Sequence, residues 1–438
     1  MKRSTSLKKP TLLEKTCFGI GDFANNGIFT FVSTYLMYYY TDSLGLSLGM
    51  VSSVLLIGRA VDAACSPIMG IVVDRTETRF GKCRPFLMIG TLPVCAVMTM
   101  IFSIPYSLGE TTKVFLCISL YVIFSIFFSF VNVPYSTLIN VLTNDNEDRI
   151  VFNAFKTIGA NLGGVFVTSL TLLMVDYFSK NGKNGFSITA MIFGIIFLLG
   201  TILCVINVRE RVHVAKGDVI GVKGVVDAIL KNKPWMILCG VQFLALTYMM
   251  VRNQGTIYYM KYYLNNEGLS SILLVTMPIA SVVTSLFLPS LSKKYGMKAC
   301  VIVGNCLWCI AMAGMWALGK SVVIVVAFQI VASFGWGIAT GMVFVMLAQT
   351  IDYGKEKTGF ELQGILTSLL AFMQKLGVAA SGVICAQVLK VGGYVANQNA
   401  TESSSFAIRT LFCGLPLLLS LMAILLISRY RLNENGNL

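Results

Sequence analysis

Residues 114–139 read VFLCISLYVIFSIFFSFVNVPYSTLI and contain no charged side chain. A helix needs about 20 predominantly apolar residues to cross the hydrocarbon core of a bilayer, so this stretch can span one with some tilt. A strand of a membrane β-barrel would instead show about ten residues of alternating hydrophobicity. The stretch therefore predicts a membrane-spanning α-helix, and the rest of the chain decides how many such helices there are.

Similar apolar runs recur along the whole chain. We count twelve of them, at 18–40, 48–73, 85–104, 114–139, 151–175, 186–207, 235–263, 270–292, 298–318, 321–348, 363–390 and 406–428. The first run is too long for a cleavable signal peptide, and no small-residue cleavage site follows it. The predicted fold class is an all-α integral membrane protein with twelve transmembrane helices.

The composition of the 438 residues agrees with this class. Hydrophobic residues make up 56% and charged residues 12%, about half the roughly 25% of a soluble protein. Mean hydropathy is +0.76, which leaves too little polar surface for a water-soluble globule. The net charge is +14, but Lys and Arg lie in short clusters between apolar runs rather than on one solvated face. These features exclude a soluble enzyme, a disordered chain and a nucleic-acid binder.

The basic residues also predict the orientation. With the N-terminus inside, 23 of the 34 Lys and Arg fall on cytoplasmic segments, seven fall on outside segments and four lie within spans. Cytoplasmic loops carry this excess in membrane proteins. We therefore expect a multi-pass protein of the cell membrane with both termini in the cytoplasm.

The chain reads as two halves. The longest polar stretch divides six spans from six, which gives bundles at 1–207 and 235–438 joined by a cytoplasmic loop at 208–234. The turn between the second and third spans of each half carries a basic–aromatic–glycine core, DRTETRFGK at 74–82 and SKKYGMK at 292–298. Gly81 and Gly296 are 215 residues apart, as a duplicated six-helix unit predicts. Two pseudo-symmetric six-helix bundles around a central cavity are typical of secondary transporters.

Ionisable side chains within the spans are candidate functional residues because each costs at least about 2.5–3.5 kcal/mol in the bilayer. Polar residues close to them on the same helices are included as candidates. The candidates are Asp22, Arg59, Asp62, Ser66, Ser129, Asn132, Lys156, Arg252 with Asn253 and Gln254, and Lys375 with Gln374. Spacings of three and four place Arg59, Asp62 and Ser66 on one helical face. Together these residues predict a polar central cavity.

Each candidate also has a structural interpretation. Arg59 and Asp62 can form an ion pair that neutralises only itself. Lys156 lies near enough to the inner surface to snorkel, and Asp22 can cap or pack against the basic loops. The twelve cysteines are read as small apolar filler, because Cys306 and Cys309 form the only close pair and no His stands nearby to complete a metal site.

Several motifs resemble the glycoside–pentoside–hexuronide:cation symporter family, the melibiose-carrier-like branch of the major facilitator superfamily. They occur in order over nearly the whole chain: YLMYYYTDSLGL at 35–46, GRAVDAACSPIMG at 58–70 running into DRTETRFGKCRP at 74–85, NVPY at 132–135, DYGKEKTG at 352–359, KLG at 375–377, and YRLNE at 430–434. The resemblance implies a transporter with no resident cofactor and with H⁺ or Na⁺ as coupling cation.

The resemblance also implies roles for single residues. Asp62 matches the first acidic residue of the family's cation site, and Ser129, Asn132 and Ser66 accompany it, although Ser66 replaces the second carboxylate of helix 2. Sodium prefers several hard oxygen ligands with net negative charge, so proton coupling or weak coupling is favoured over tight sodium coupling. Substrate contacts are expected at Asp22, Arg59, Tyr135, Lys156 and Lys375.

The cytoplasmic turn is expected to latch the inward-closed contacts between helices through Asp74, Arg75, Arg79, Lys82 and Arg84. The hypothesis is a monomeric importer of a sugar or glycoside, driven by a cation gradient and rocking between two access states. A facilitator or exchanger without coupling is the first alternative, because of Ser66. A receptor of the same fold and an intramembrane enzyme are disfavoured, since the polar ends are short and no catalytic constellation is visible.

Overall fold

A computed structural model describes residues 10–76, 78, 80–143, 146–180, 184–211, 229–358, 363–398 and 400–432. In these residues the chain is helical, and the one β-contact is an isolated bridge between Thr78 and Gly81. The segments that carry Arg79 and most of the predicted central loop at 208–234 lie outside the described residues.

The described residues of the first half form six helices. They are α1 (Leu12–Tyr38, continued by a π-helical turn at Tyr39–Ser43), α2 (Leu48–Arg75), α3 (Arg84–Ile101), α4 (Glu110–Leu142), α5 (Asn146–Lys180) and α6 (Gly185–Asn207). Each corresponds to one of the first six predicted spans.

The second half repeats this pattern with interruptions. Its helices are α7 (Lys233–Tyr258, with a π-helical turn at Tyr259–Tyr263), α8 (Ser270–Tyr295), α9 (Met297–Leu318), α10 (Val322–Thr358), α11 (Gln363–Val391), α12 (Glu402–Arg409) and α13 (Leu415–Ser428). A π-helical turn at Thr410–Gly414 joins α12 to α13, so the two form one continuous span.

Ten helical stretches in the described part of the chain are long and apolar enough to cross a membrane. α1 is not among them, because Asp22, Asn25 and Asn26 lower the hydropathy of its middle, and α8 contributes a shorter apolar stretch at Ser270–Thr284. The membrane-spanning character is thus confirmed. The number of twelve spans and the cytoplasmic termini stay predictions.

Helix ends depart from the predicted edges where polar side chains extend a helix beyond its apolar run. α1 begins at Leu12 rather than near 18, because Thr11 and Glu14 form a reciprocal capping pair. The Thr11 N–H donates to Glu14 Oε2 at 2.9 Å, and the Glu14 N–H donates to Thr11 Oγ1 at 3.3 Å. α10 likewise runs ten residues beyond its predicted span.

Contacts divide the chain into two compact units. The first comprises Met1–Leu36 and Ala60–Gly217, and the second comprises Met37–Arg59 and Asp218–Leu438. Residues 37–59 belong to the second unit because they pack on its helices; a Cβ at Gly382 of α11 would lie 3.3 Å from Leu55. The sequence boundaries 1–207 and 235–438 stay a prediction.

Within the first unit, α1 and α5 approach each other at backbone distance. A Cβ built on Gly159 would overlap the carbonyl oxygen of Gly19, and one on Gly163 would overlap the carbonyl of Phe23. Small residues at a helix interface allow such an approach between membrane helices. This contact holds the helix that carries Asp22 against the helix that carries Lys156.

We expect Gly159→Ala to lower the free energy of unfolding by about 1–3 kcal/mol, the usual cost of inserting a methyl group into a packed interface. The matched control is Gly70→Ala on α2, where a Cβ would have nothing within 4 Å and alanine is the better helix former. Thermal unfolding in detergent compares the two variants. Equal melting temperatures would contradict the interpretation of the α1–α5 contact.

Candidate functional site

The first unit holds a cluster around one buried carboxylate, formed by Asp62, Ser66 and Ser129 and called here the Asp62 cluster. The hydroxyl of Ser129 on α4 donates to Asp62 Oδ1 at 2.7 Å. Ser66 donates to the main-chain oxygen of Asp62 at 2.9 Å, and its Oγ lies 3.4 Å from that of Ser129. The structure thus assembles three of the four predicted cation-site residues.

The local sequence explains the cluster. Ser66 follows Asp62 by four residues, so the two lie one turn apart on one face of α2. Asp62 is 6% exposed and Ser129 is fully buried, so water contributes little to the solvation of the carboxylate. The cluster presents hard oxygen atoms and a single carboxylate. In the described part of the chain, no three His, Cys, Asp or Glu side chains assemble into a metal site.

Asn132 sits one turn beyond Ser129 on α4 but has a different partner. Its Oδ1 accepts a hydrogen bond of 2.8 Å from Nδ2 of Asn25 on α1. Asn25 is buried, and its own Oδ1 has no hydrogen-bond partner among the described residues. Asn25 was not among the candidates predicted from the sequence, although its position one turn after Asp22 indicates that it shares a helix face with that residue.

Three of the predicted substrate residues come together in the first unit. The Tyr135 hydroxyl donates to the carbonyl oxygen of Phe18 at 2.6 Å, and the two rings stack with centroids 5.1 Å apart. Lys156 Nζ lies 5.9 Å from the centre of the Tyr135 ring, and the buried Asp22 lies one turn after Phe18 on α1. The result is a patch with an aromatic ring, a cation and an anion, called here the Asp22 patch.

Arg59 and Lys375 belong to the second unit. Both are half-buried, Arg59 on α2 and Lys375 in the middle of α11. Their predicted contact with substrate stays a prediction.

The turn between α2 and α3 is held by Glu210, which follows α6. The backbone N–H groups of Lys82, Cys83 and Arg84 donate to its carboxylate at 2.6, 2.8 and 2.9 Å. The Arg84 guanidinium donates to the carbonyl oxygen of Val205 at 2.9 and 2.6 Å. A carboxylate at the N-terminus of α3 meets unpaired N–H groups and the positive end of the helix dipole.

Gly81 makes this arrangement sterically feasible. Its φ of +111° favours glycine, and a Cβ there would lie 2.5 Å from the Glu210 carboxylate. Of the predicted latch residues, Arg75 is exposed, while Lys82 and Arg84 are half-buried. The side chain of Asp74 and residue Arg79 lie outside the described residues. Sequence reasoning missed Glu210, because it is about 130 residues from the turn that it holds.

Two ion pairs join the same end of the first unit. Arg211 Nη2 donates to both carboxylate oxygens of Glu14 at 2.6 and 2.8 Å, and Lys15 Nζ donates to Asp148 at 2.7 Å. These four side chains are largely buried, which strengthens the attraction relative to exposed pairs. They tie the start of α1 to α5 and to the segment after α6.

The second unit contains a denser polar cluster, called here the Asp42 cluster. Asp42, in the π-helical turn after α1, accepts hydrogen bonds from Lys261 Nζ at 3.0 Å, from Tyr394 at 2.9 Å, and from Tyr262. Its main-chain oxygen accepts from Asn397 Nδ2 at 2.9 Å. The Asp42 side chain is 2% exposed.

The tyrosines around Asp42 can donate hydrogen bonds to its carboxylate. Burial, and then the negative charge of Asp42, raise the pKa of Tyr394, so its hydroxyl stays protonated and donates. Lys261 also lies 5.0 Å from the centre of the Tyr38 ring. The cluster was not predicted from the sequence, because its members are up to 355 residues apart.

Arg252, a candidate on α7, has a different environment. It is fully buried, its guanidinium lies 4.4 Å from the Phe412 ring centre and 5.8 Å from that of Trp308, and Nη2 is 3.7 Å from the sulfur of Met315. Its Nε and Nη1 have no partner among the described residues. Aromatic faces are thus the main groups that solvate this buried charge.

A family profile described as MFS/sugar transport protein matches residues 17–434. The chain therefore belongs to this family of multi-pass membrane transporters, which are not enzymes. It is 29% identical to the isoprimeverose transporter of Lactiplantibacillus pentosus over 410 residues, which are 92% of this chain and 85% of that protein. It is 30% identical to the uncharacterized symporter YnaJ of Bacillus subtilis (strain 168) over 436 residues, which are 98% and 94% of the two chains.

Solved structures share the fold. The crystal structure of the nucleoside transporter NupG superposes with a TM-score of 0.67 at 14% identity, and the match covers 96% of this chain and 100% of that one. At this identity the similarity shows the transporter fold alone. The family assignment made from the sequence motifs is confirmed.

We expect Asp42→Asn to lower the free energy of unfolding by about 1.5–3 kcal/mol, because hydrogen bonds to a charged group are lost and Lys261 keeps its charge. Asp176→Asn, which removes an exposed i,i+4 pair with Lys180, is the control and should change little. Thermal unfolding of these variants, of Lys261→Met alone, and of Asp42→Asn combined with Lys261→Met measures the coupling between the two side chains. Additive effects of the two substitutions would contradict a direct interaction.

Proposed function

We propose that this protein imports a sugar or glycoside by symport with a monovalent cation, through alternating access of a central site. Membership of the sugar transporter family and the names of the relatives, one a sugar transporter and one a symporter, support this proposal. The observation that carries the coupling step is the Asp62 cluster.

A buried carboxylate within a span needs either a proton or a cation to lower its cost in the bilayer. The Asp62 cluster supplies one negative charge and two hydroxyl groups. Na⁺ would favour more anionic oxygen ligands, since hard cations are bound by several carboxylate and carbonyl oxygens. One carboxylate is sufficient for a proton. H⁺ is therefore the proposed cation, with Asp62 as its carrier.

The Asp22 patch is the proposed sugar-binding surface in the first unit. A carboxylate accepts hydrogen bonds from sugar hydroxyls and an ammonium donates to them. The buried Tyr135 ring stacks on Phe18 and holds α4 against α1 beside these two groups. Arg59 and Lys375 are proposed as further substrate or coupling residues, and Asn132 with Asn25 as neutral neighbours of the cation site. The turn from Asp74 to Arg84, anchored by Glu210, is proposed as the cytoplasmic latch.

A cation-independent facilitator or exchanger is the second candidate. The specific observation in its favour is Ser66, which places a hydroxyl 3.4 Å from Ser129 at the position of the family's second carboxylate. Such a protein would equilibrate its sugar without concentrating it.

We expect Asp62→Asn to abolish concentrative uptake, because an asparagine amide cannot bind and release the coupling proton. The variant should still equilibrate the sugar across the membrane. The measurement is uptake of labelled sugars into vesicles, with pH and Na⁺ gradients imposed separately. Asp176→Asn is the control and should accumulate sugar like the wild type. Undiminished accumulation by Asp62→Asn would show that Asp62 is not the proton carrier. If neither gradient drives accumulation by the wild type, the protein is a facilitator or exchanger and not a symporter.

We further expect Ser66→Asp to make uptake more dependent on Na⁺. The new carboxylate would lie one turn from Asp62 and next to Ser129, which doubles the negative charge of the cluster. Ser66→Asn, which has the shape of the aspartate variant without its charge, is the control. The ratio of Na⁺-driven to H⁺-driven uptake should rise at least about threefold for the aspartate variant only, since added ligand charge favours a hard cation. An equal ratio in both variants would contradict the proposed role of charge.

A further inference from the structure

The first helix of each sequence half ends in the same uncommon structure. α1 continues into a π-helical turn at Tyr39–Ser43, and α7 continues into one at Tyr259–Tyr263. Such turns are rare and occur frequently at functional sites. The first turn contains Asp42 and the second contains Lys261, so each half contributes one of the two charges that pair in the Asp42 cluster.

The two π-helical turns bind each other through polar side chains. Lys261 Nζ donates to Asp42 Oδ1 at 3.0 Å, and the Tyr262 hydroxyl donates to the same oxygen. One residue before each partner, the hydroxyl oxygens of Thr41 and Tyr258 lie 2.9 Å apart in a hydrogen bond. Each of these contacts joins a residue of the first sequence half to a residue of the second.

The segment after α11 also binds Asp42. The Tyr394 hydroxyl donates to Asp42 Oδ2 at 2.9 Å, and Asn397 Nδ2 donates to the main-chain oxygen of Asp42 at 2.9 Å. The backbone N–H of Asn397 donates in turn to the Tyr262 hydroxyl at 3.0 Å. Asp42, a first-half residue, is thus bound by two separate segments of the second half.

α1 and α2 change from one compact unit to the other along their length. Their parts next to the Asp42 cluster, Met37–Arg59, belong to the second unit, whereas Met1–Leu36 and α2 from Ala60 onward belong to the first. Leu55 of this segment lies against Gly382 of α11, where a Cβ would be 3.3 Å away. These two first-half helices therefore pack on second-half residues only at the end that carries Asp42.

The chemistry of the cluster allows it to separate. The side chains of Asp42 and Lys261 are 2% and 22% exposed, so both have lost most of their hydration in forming the pair. Water returns to both charges when they move apart, which offsets part of the lost attraction. Apolar surfaces that separate gain no such compensation, because their exposure to water is unfavourable. The cluster thus defines one closed arrangement without preventing its opening.

We propose that the Asp42 cluster is an outer gate. It holds the ends of α1 and α2 against α7 and α11 while the protein is closed to the outside, and it separates when the protein opens there. The proposal rests on the alternating access proposed above and on the predicted orientation, which places this end of α1 outside. The proposed cytoplasmic latch, the turn from Asp74 to Arg84, follows the other end of α2.

The test measures opening of the gate without sugar and without a cation gradient. Ser52 on α2 is 6% exposed and lies in the segment that the cluster holds. Ser52→Cys introduces a thiol of nearly the same size, and a membrane-impermeant maleimide added outside whole cells labels this thiol when the gate opens. The protein without Ser52→Cys gives the background from the native cysteines.

We expect gate variants to be labelled faster. Asp42→Asn and Lys261→Met, each combined with Ser52→Cys, should raise the labelling rate at least about tenfold, because the closed state loses hydrogen bonds to a charged group. Tyr262→Phe keeps the ring and removes one hydroxyl, so it should raise the rate with less disturbance of the fold. This variant carries the test if Asp42→Asn does not reach the membrane.

Gly159→Ala, combined with Ser52→Cys, is the matched control, because it should destabilise the protein by a similar amount at the α1–α5 contact. It should lower the melting temperature and leave the labelling rate unchanged. A rise equal to that of Asp42→Asn would show that the cluster only stabilises the fold, and would overturn the proposal. Unchanged labelling in Lys261→Met and Tyr262→Phe would also overturn it. A wild type that accumulates no sugar while these labelling differences persist would contradict symport and not the gate.

Discussion

A charge inside a membrane protein is tolerated only where other groups replace the water that it loses, and this constraint organises the polar part of the structure. Asp62 receives a serine hydroxyl, Asp42 receives an ammonium and two tyrosines, and Glu210 receives three backbone N–H groups. Arg252 is the opposite case, since aromatic rings and a sulfur surround it. Carboxylates thus lie where hydrogen-bond donors converge, and these clusters define the candidate sites.

The two units hold their helices together with different kinds of interaction. At the end predicted to be cytoplasmic, the first unit uses ion pairs and a carboxylate on a helix N-terminus, which act through charge. The Asp42 cluster of the second unit adds tyrosine hydroxyls to its ion pair with Lys261, so directed hydrogen bonds act there together with charge. A proton-coupled transporter benefits from this separation, because the groups that hold its helices together differ from the single carboxylate proposed to titrate.

The sequence predicted the helices well because a span of about 20 apolar residues has few alternative structures. It also brought Asp62, Ser66 and Ser129 into one hypothesis, through helical spacing and family resemblance. It did not predict Glu210 or the Asp42 cluster. Helical periodicity reports neighbours within one helix, whereas Glu210 and Asp42 bind partners that lie 128 and 219 residues away. The available signals were a glutamate flanked by arginines just after a span and an aspartate soon after three tyrosines. Neither signal indicates which distant residues the carboxylate binds.

The glycine contact between α1 and α5 has a genetic consequence. Every missense change of a glycine codon introduces a side chain, so no single-base missense change at Gly159 or Gly163 keeps the position free of a Cβ. A mutation at either codon places a Cβ against the backbone of α1 and shifts the helix that carries Asp22 relative to the one that carries Lys156. At these two codons a single base change therefore already alters the geometry between two functional candidates.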